Sequence, residues 1–361
     1  MERLRVGFVG CGRIASEFEE RSTVHPVSIA GAFDANGETR IVAAANRGEE
    51  RLGKFGARWG VSALYGDYRE MLRRERLDIV AVATHPPLHP EIVEAACAAG
   101  VKGIFCEKPM ALDLDGCDRI VAAAAARGVK VVVNCTRRFD GRYESVRRIV
   151  ERGDLGDLIH MVGHCQGAKP VPEWESETEG PLLHDAVHLL DIMRFYAGDA
   201  ESLVASALNP TRRFRFEDSS HSVIRFTRGV EGVAIVDERA EYCDFSLELN
   251  FTRGRIRMER FCPGLWKSVV NPQGENGWWQ SLTAGELPAP AWEGTGMKHA
   301  VGNLVDSVLR GAQVRCSDRD GLAAVELIMG IYESELTGGR VAFPLPRGRS
   351  PLEALRGKGA L

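Results

Sequence analysis

Three observations predict an α/β protein in which a doubly wound parallel sheet precedes a second domain built on a large, open, mostly antiparallel sheet. The first third of the chain alternates short β-branched apolar runs with helix-length segments. Near residue 134 that rhythm stops, and strand-like runs then succeed one another with turn residues between several of them. The chain has 361 residues, more than the roughly 250–300 that one hydrophobic core organises.

The run at 4–9 ends in glycine, and further runs follow at 40–45, 77–83, 101–106 and 129–133. Each is apolar on both faces, as a parallel strand covered by helices must be. Helical segments are expected at 47–59, 89–99 and 114–127, the alanine run at 122–126 marking close helix-on-sheet packing. Beyond residue 134 an amphipathic helix is expected at 143–152, a strand at 158–167 and a helix at 182–197. The runs LVASAL, SVIRF, GVAIV, FSLEL and RIRME, between 203 and 259, supply the open sheet. Residues 262–295, rich in Pro, Gly and Trp, read as a long irregular segment. Helices follow at 297–309 and 320–336. This divides the chain into a domain over 1–136, a second over 137–345 and a polar tail over 346–361, expected to fray or wrap a neighbour. No internal repeat is present.

Composition narrows the function classes. Hydrophobic residues at 44% and charged residues at 27% are globular proportions and exclude a disordered chain. A net charge of −4 provides no field for nucleic acid or an anionic membrane. No apolar run approaches the ~18 residues of a membrane span. The first strand-like run begins almost at once, which leaves no room for a signal peptide. The nine cysteines are scattered without a Cys-x-x-Cys pair, as expected of reduced thiols in the cytoplasm.

Gly10-Cys11-Gly12-Arg13-Ile14-Ala15 is G-x-G-x-x-A, directly after the first strand and opening a helix. The first glycine permits the turn, the second lets backbone approach a pyrophosphate, and the small Ala15 lets helix and strand close up. Free N–H groups of Gly12, Arg13 and Ile14 and the helix dipole then attract phosphates. An NAD site normally has an acid at the end of strand two. This chain has Asn46-Arg47, after an interval lengthened by residues 25–36. Asparagine removes the charge that would repel a 2′-phosphate, and Arg47 could bind one. NADP is therefore the expected cofactor, with NAD possible. The alternative is that Arg47 is a solvated helix-start residue and Asn46 serves either cofactor.

Glu107-Lys108-Pro109 follows strand five, beside VATHPPLH at 82–89, HDAVHLLD at 184–191, GLAAVELIMGIYES at 321–334 and GRVAFPLP at 339–346. Together with the glycine turn, these motifs resemble the Gfo/Idh/MocA family of oxidoreductases over nearly the whole chain. The resemblance implies a Rossmann domain followed by an α/β domain whose open sheet forms a dimer or tetramer interface. It also implies a sugar, inositol or related cyclic polyol, oxidised at a ring hydroxyl or reduced at the ketone.

On that resemblance Lys108 reaches the reacting hydroxyl, where an ammonium stabilises developing alkoxide charge. Thr84 and His85 end strand four at the cofactor crevice, and His89 and Glu107 are further candidates around the cofactor. His188 matches the family's acid/base histidine, a group suited to proton transfer near neutral pH. The family's acid four residues earlier is His184 here. Asp185 is the nearest carboxylate in sequence, rotated about 100° around a helix. Either Asp185 takes the acid's place or His184 has another role, such as substrate contact. Arg137, Arg138 and Asp191 are candidate substrate contacts, although Arg194 could simply pair with Asp191. Trp278, Trp279 and Trp292 suit the apolar face of a sugar ring or the packing of a loop. Two other classes stay open. A metal-dependent hydrolase would use the His184/His188 pair, with His160 and His164 as further ligands. A non-catalytic NADP(H)-binding sensor would share the fold. The main reading needs no metal.

Overall fold

The computed structural model describes residues 2–19, 25–167, 179–211, 216–259, 263–270, 280–359 and 361. The chain forms two compact units. The first comprises Met1–Gly141 and Trp292–Val325, the second Arg142–Ala291 and Glu326–Leu361.

In chain order the first unit contains β1 (Leu4–Val9), a π-helical turn at Arg13–Glu17, α1 (Ile29–Asp34), β2 (Thr39–Ala45), α2 (Glu49–Trp59), β3 (Ala63–Tyr65), α3 (Tyr68–Arg74), β4 (Ile79–Val82), α4 (His89–Ala98), β5 (Gly103–Cys106), α5 (Leu114–Arg127) and β6 (Lys130–Val133). All six strands are parallel, in the order β3-β2-β1-β4-β5-β6. The order reverses between β1 and β4, which opens a crevice outside their carboxyl ends. β4 and β5 are wholly buried, as a sheet covered on both faces requires. Phe8, Phe33, Phe55 and Phe105 pack ring against ring in the core, each burial worth roughly 1.5–3 kcal/mol. α5 starts where Asp113 accepts from Gly116 N–H and stops at Gly128 in left-handed conformation.

The second unit carries α6 (Gly141–Arg152), β7 (Leu158–Gln166), a π-helical turn at Leu182–Ala186, α7 (Val187–Ala197), β8 (Ala200–Leu208), β9 (Ser219–Phe226), β10 (Glu231–Asp237), β11 (Asp244–Phe251), β12 (Gly254–Met258), β13 (Gly264–Val270) and β14 (Gln280–Gly285). The chain then supplies α8 (Gly296–Arg310) to the first unit, and continues through α9 (Asp318–Thr337), β15 (Val341–Ala342) and α10 (Pro351–Gly357). The second sheet has nine strands in the order β14-β13-β12-β11-β7-β10-β9-β8-β15, with β7 and β10 parallel and the other pairs antiparallel. α7 lies on β7 and β10 because each presents a glycine beneath it. A Cβ on Gly163 would come within 2.6 Å of Leu189, and one on Gly232 within 2.5 Å of Met193.

Several expectations need correction. The segment 262–295 is not uniformly irregular, since β13 and β14 pair at the sheet edge. Their weak alternation hid them, because edge strands bury little. Trp278 and Trp279 lie outside the described residues. β3, three half-buried residues, is too short to carry a periodicity. The glycine turn leads into a five-residue π-helical turn rather than one long helix, and α1 begins separately where Ser28 accepts from Gly31 N–H. A single cut near residue 136 also fails to describe the units. α8 returns to the parallel sheet, where Val308 and Leu304 fill the space left by Gly103, and Val133 N–H donates to Cys316 O at 2.8 Å. The tail holds a helix, α10, capped by Ser350 and burying Pro351, Leu352 and Leu355.

Candidate active site

The first unit carries the glycine turn. Gly10 has φ +94, and a Cβ there would meet Ala83 O at 2.5 Å, so only glycine lets β1 turn this close to β4. A Cβ on Gly12 would meet nothing within 4 Å, which leaves open space where the motif places a pyrophosphate. Arg13 is exposed, its guanidinium over the Phe18 ring, and Ile14 is half-buried. These residues fit a dinucleotide. Asn46 is committed to the backbone. Its Oδ1 accepts from Cys11 N–H at 3.2 Å and its Nδ2 donates to Gly48 O at 3.0 Å, which an aspartate could not do. Arg47 is exposed, and no hydrogen bond or ion pair engages its guanidinium among the described residues.

Thr84 is half-exposed and His85 exposed after β4. His89 is fully buried, so its ring does not reach a ligand. Nε2 lies 3.0 Å from Thr84 O, and Nδ1 lies 3.2 Å from Pro109 O, 3.3 Å from Met110 O and 3.7 Å from Cys106 Sγ. Burial pushes its pKa down to about 4, so near pH 7 the ring is neutral. The Cys106 thiol, whose own pKa burial raises, donates to Glu107 O at 3.4 Å. The ring ties the residue ending β4 to the loop after Lys108.

Glu107 is buried. It accepts from Asn134 Nδ2 at Oε1 and from Lys108 N–H at Oε2, 3.0 Å. Burial raises its pKa, and Lys108 and the Asn134 contact oppose that shift. Lys108 is half-buried, with a cis bond to Pro109. Its backbone is therefore held by a carboxylate that the end of β6 also grips. Asn134 was missed in the sequence. Its signal is a polar residue directly after the VVV of β6, at the sheet's carboxyl edge.

Arg137 is half-buried. Arg138 is buried, with Nη1 2.9 Å from Asp320 Oδ1 and 3.4 Å from Arg315 O. Trp292 donates Nε1–H to Phe139 O at 2.8 Å and lies under Arg315. Its role in the structure is packing.

The second unit supplies the histidines. His184 and Asp185 lie in the π-helical turn, and His188 in the first turn of α7. The widened turn breaks the regular helical bearing assumed for an i, i+4 pair. His184 Nδ1 lies 3.1 Å from Asp185 Oδ1, so the adjacent carboxylate contacts the first histidine. His184, Asp185 and His188 are all half-exposed on an otherwise buried segment. Asp191 is buried, 3.5 Å from Arg194 Nη1, and Arg194 also pairs with Asp199. That makes Asp191 part of an internal charge cluster. Among the described residues, no cluster of three potential metal ligands includes His160, His164, His184 or His188.

A family profile described as an oxidoreductase family with an NAD-binding Rossmann fold matches residues 4–135, and a GFO/IDH/MocA C-terminal domain profile matches 143–257. D-apiose dehydrogenase of Paraburkholderia graminis is 27% identical over 100% of this chain and 95% of its own. Inositol 2-dehydrogenase 3 of Saccharopolyspora erythraea is 30% identical over 68% of this chain and 69% of its own. The crystal structure of the WlbA dehydrogenase from Bordetella pertussis, in complex with NADH and UDP-GlcNAcA, superposes with TM-score 0.79 at 22% identity, over 96% of this chain and 100% of that one. The chain belongs to the GFO/IDH/MocA family of oxidoreductases and carries its NAD-binding Rossmann domain.

Proposed function

We propose that this oxidoreductase moves a hydride between nicotinamide and a ring hydroxyl or ketone of a sugar, inositol or related cyclic polyol, with NADP as the preferred cofactor. The observation that carries the reading is the placement of Lys108. It stands at the carboxyl end of β5, in the sheet whose crevice bears the glycine turn, and its backbone is clamped by the buried Glu107–Asn134 pair. The names of relatives acting on apiose and inositol support the substrate class.

Gly10, Gly12 and the amides after them would hold the cofactor's phosphates, and the nicotinamide supplies the hydride acceptor or donor. The remaining work falls to this chain's side chains. Lys108 holds the substrate oxygen and stabilises charge as it develops there. His188 takes the hydroxyl proton in the oxidative direction and returns it in the reductive one. His184, oriented by Asp185, is a substrate contact. Glu107, Asn134 and His89 fix the backbone around Lys108. The unengaged Arg47 supports NADP, because its guanidinium is free to meet a 2′-phosphate.

The open face of the second sheet supports a homo-oligomer. The register aligns Val204, Val223, Val233 and Val162 across β8, β9, β10 and β7, with Val204 45% and Val223 52% exposed. Such a row of apolar side chains is suited to a second copy of the chain. No helix among the described residues is long and apolar enough to cross a membrane, and a cytoplasmic setting remains part of the proposal.

The test is a screen of sugars and cyclic polyols with NAD and NADP, followed by nicotinamide absorbance. Turnover on at least one ring polyol is expected. Tight cofactor binding without turnover across the screen would overturn the reading.

A further inference from the structure

Glu217 has no part in the hydride chemistry, yet it is fully buried and joins three separate segments of the second unit. Its Oε1 accepts from Leu182 N–H at 2.9 Å, the first residue of the π-helical turn that bears His184 and Asp185. Its Oε2 accepts from the Tyr332 hydroxyl of α9 at 2.9 Å. Arg356 of α10 stacks over the neighbouring Phe216 ring, and its charge favours the carboxylate form of Glu217. Gly180 makes room for the carboxylate, since a Cβ there would lie 2.6 Å from Oε1 and 2.7 Å from Oε2. Gly180 O in turn accepts from His184 N–H at 2.9 Å. The other charged groups nearby are Glu179, just before the turn, and Asp218, which holds Thr211.

We propose that Glu217 is the positioning residue of the histidine-bearing turn, tying its first amide to α9 so that His184 and His188 are presented in one fixed arrangement. A buried carboxylate is expensive to keep. Here both oxygens are bonded to groups that would otherwise be orphaned, and one of those groups begins the turn. A π-helical turn is irregular and needs outside support to hold its shape.

This inference rests on the reading of His188 and His184 as site residues, and the test separates the two. Amide exchange across residues 182–186 is measured in the wild type, Glu217→Ala, Glu217→Gln and Gly180→Ala, beside kcat and the KM for cofactor on the best polyol. Glu217→Ala should speed exchange in the turn at least tenfold and lower kcat at least tenfold, with cofactor KM within about twofold. Glu217→Gln keeps an acceptor for Leu182 and should restore both within about threefold. If Glu217→Ala fails to fold, Gly180→Ala displaces the carboxylate while keeping the glutamate in the chain, and should show the same split. Wild-type exchange and kcat in a folded Glu217→Ala or Gly180→Ala protein would overturn the proposal. A wild type inactive on every polyol would refute the hydride reading, while the exchange arm still decides whether Glu217 anchors the turn.

Discussion

Lowering the pH from about 7.5 to about 5 should loosen the first unit and tighten the second. His89 is fully buried, and its pKa falls from an ordinary 6.5 to about 4 because burial penalises the imidazolium. Between those values the native state binds fewer protons than the unfolded one, so the stability His89 contributes is complete above pH 6.5 and is lost as the pH falls toward 4. At roughly 1.4 kcal/mol per unit, the loss between pH 7.5 and 5 comes to about 2 kcal/mol. Glu217 has the opposite sign. Burial lifts its pKa from 4.5 to about 7, so its contribution is complete below 4.5 and is lost as the pH rises through 7, again by about 2 kcal/mol over the same interval. In an unfolding curve of the whole chain the two would nearly cancel. Hydrogen exchange resolves them, because core amides of β4 and β5 report the first unit and those of β7 and β9 the second. After correction for intrinsic exchange rates, protection should fall on acidification in β4 and β5 and rise in β7 and β9. His89→Gln should abolish the first slope and Glu217→Gln the second. Slopes unchanged by these substitutions, or of one sign in both units, would refute the assignment of buried neutral His89 and protonation-prone Glu217.

Lys108→Ala should keep cofactor affinity and lose at least a hundredfold in kcat; near-normal turnover in a coupled absorbance assay would remove its assigned role. Arg47→Ala should weaken NADP(H) binding about tenfold and leave NAD(H) unchanged, read by fluorescence titration of both cofactors. Gly10→Ala combines a left-handed backbone with a Cβ 2.5 Å from Ala83 O, so it should cost several kcal/mol (about 2 from backbone strain alone) and abolish cofactor binding. Arg356→Gln removes a charge that lowers the Glu217 pKa, so the pH at which the second unit loses stability should move upward, measured by the same exchange experiment.

The parallel sheet, the glycine turn and the Glu-Lys-Pro corner could be read from consecutive residues, because each depends on local rules. A buried strand needs an unbroken apolar run, a tight turn needs glycine at one position, and Lys108 is aimed by its immediate neighbours. Polar residues with distant partners were a different matter. His89 looked like a ligand contact until packing closed over it and left three carbonyls and a thiol as its surroundings. Arg138, read as a candidate substrate contact, pairs with Asp320, 182 residues further along the chain. β13 and β14 show no strong alternation because a sheet edge demands little of its side chains. Glu217 had no signature at all, since Leu182 is 35 residues away and Tyr332 is 115. A buried polar group must find a partner somewhere, but which one is settled by how the segments pack, and periodicity along the chain carries no record of that choice.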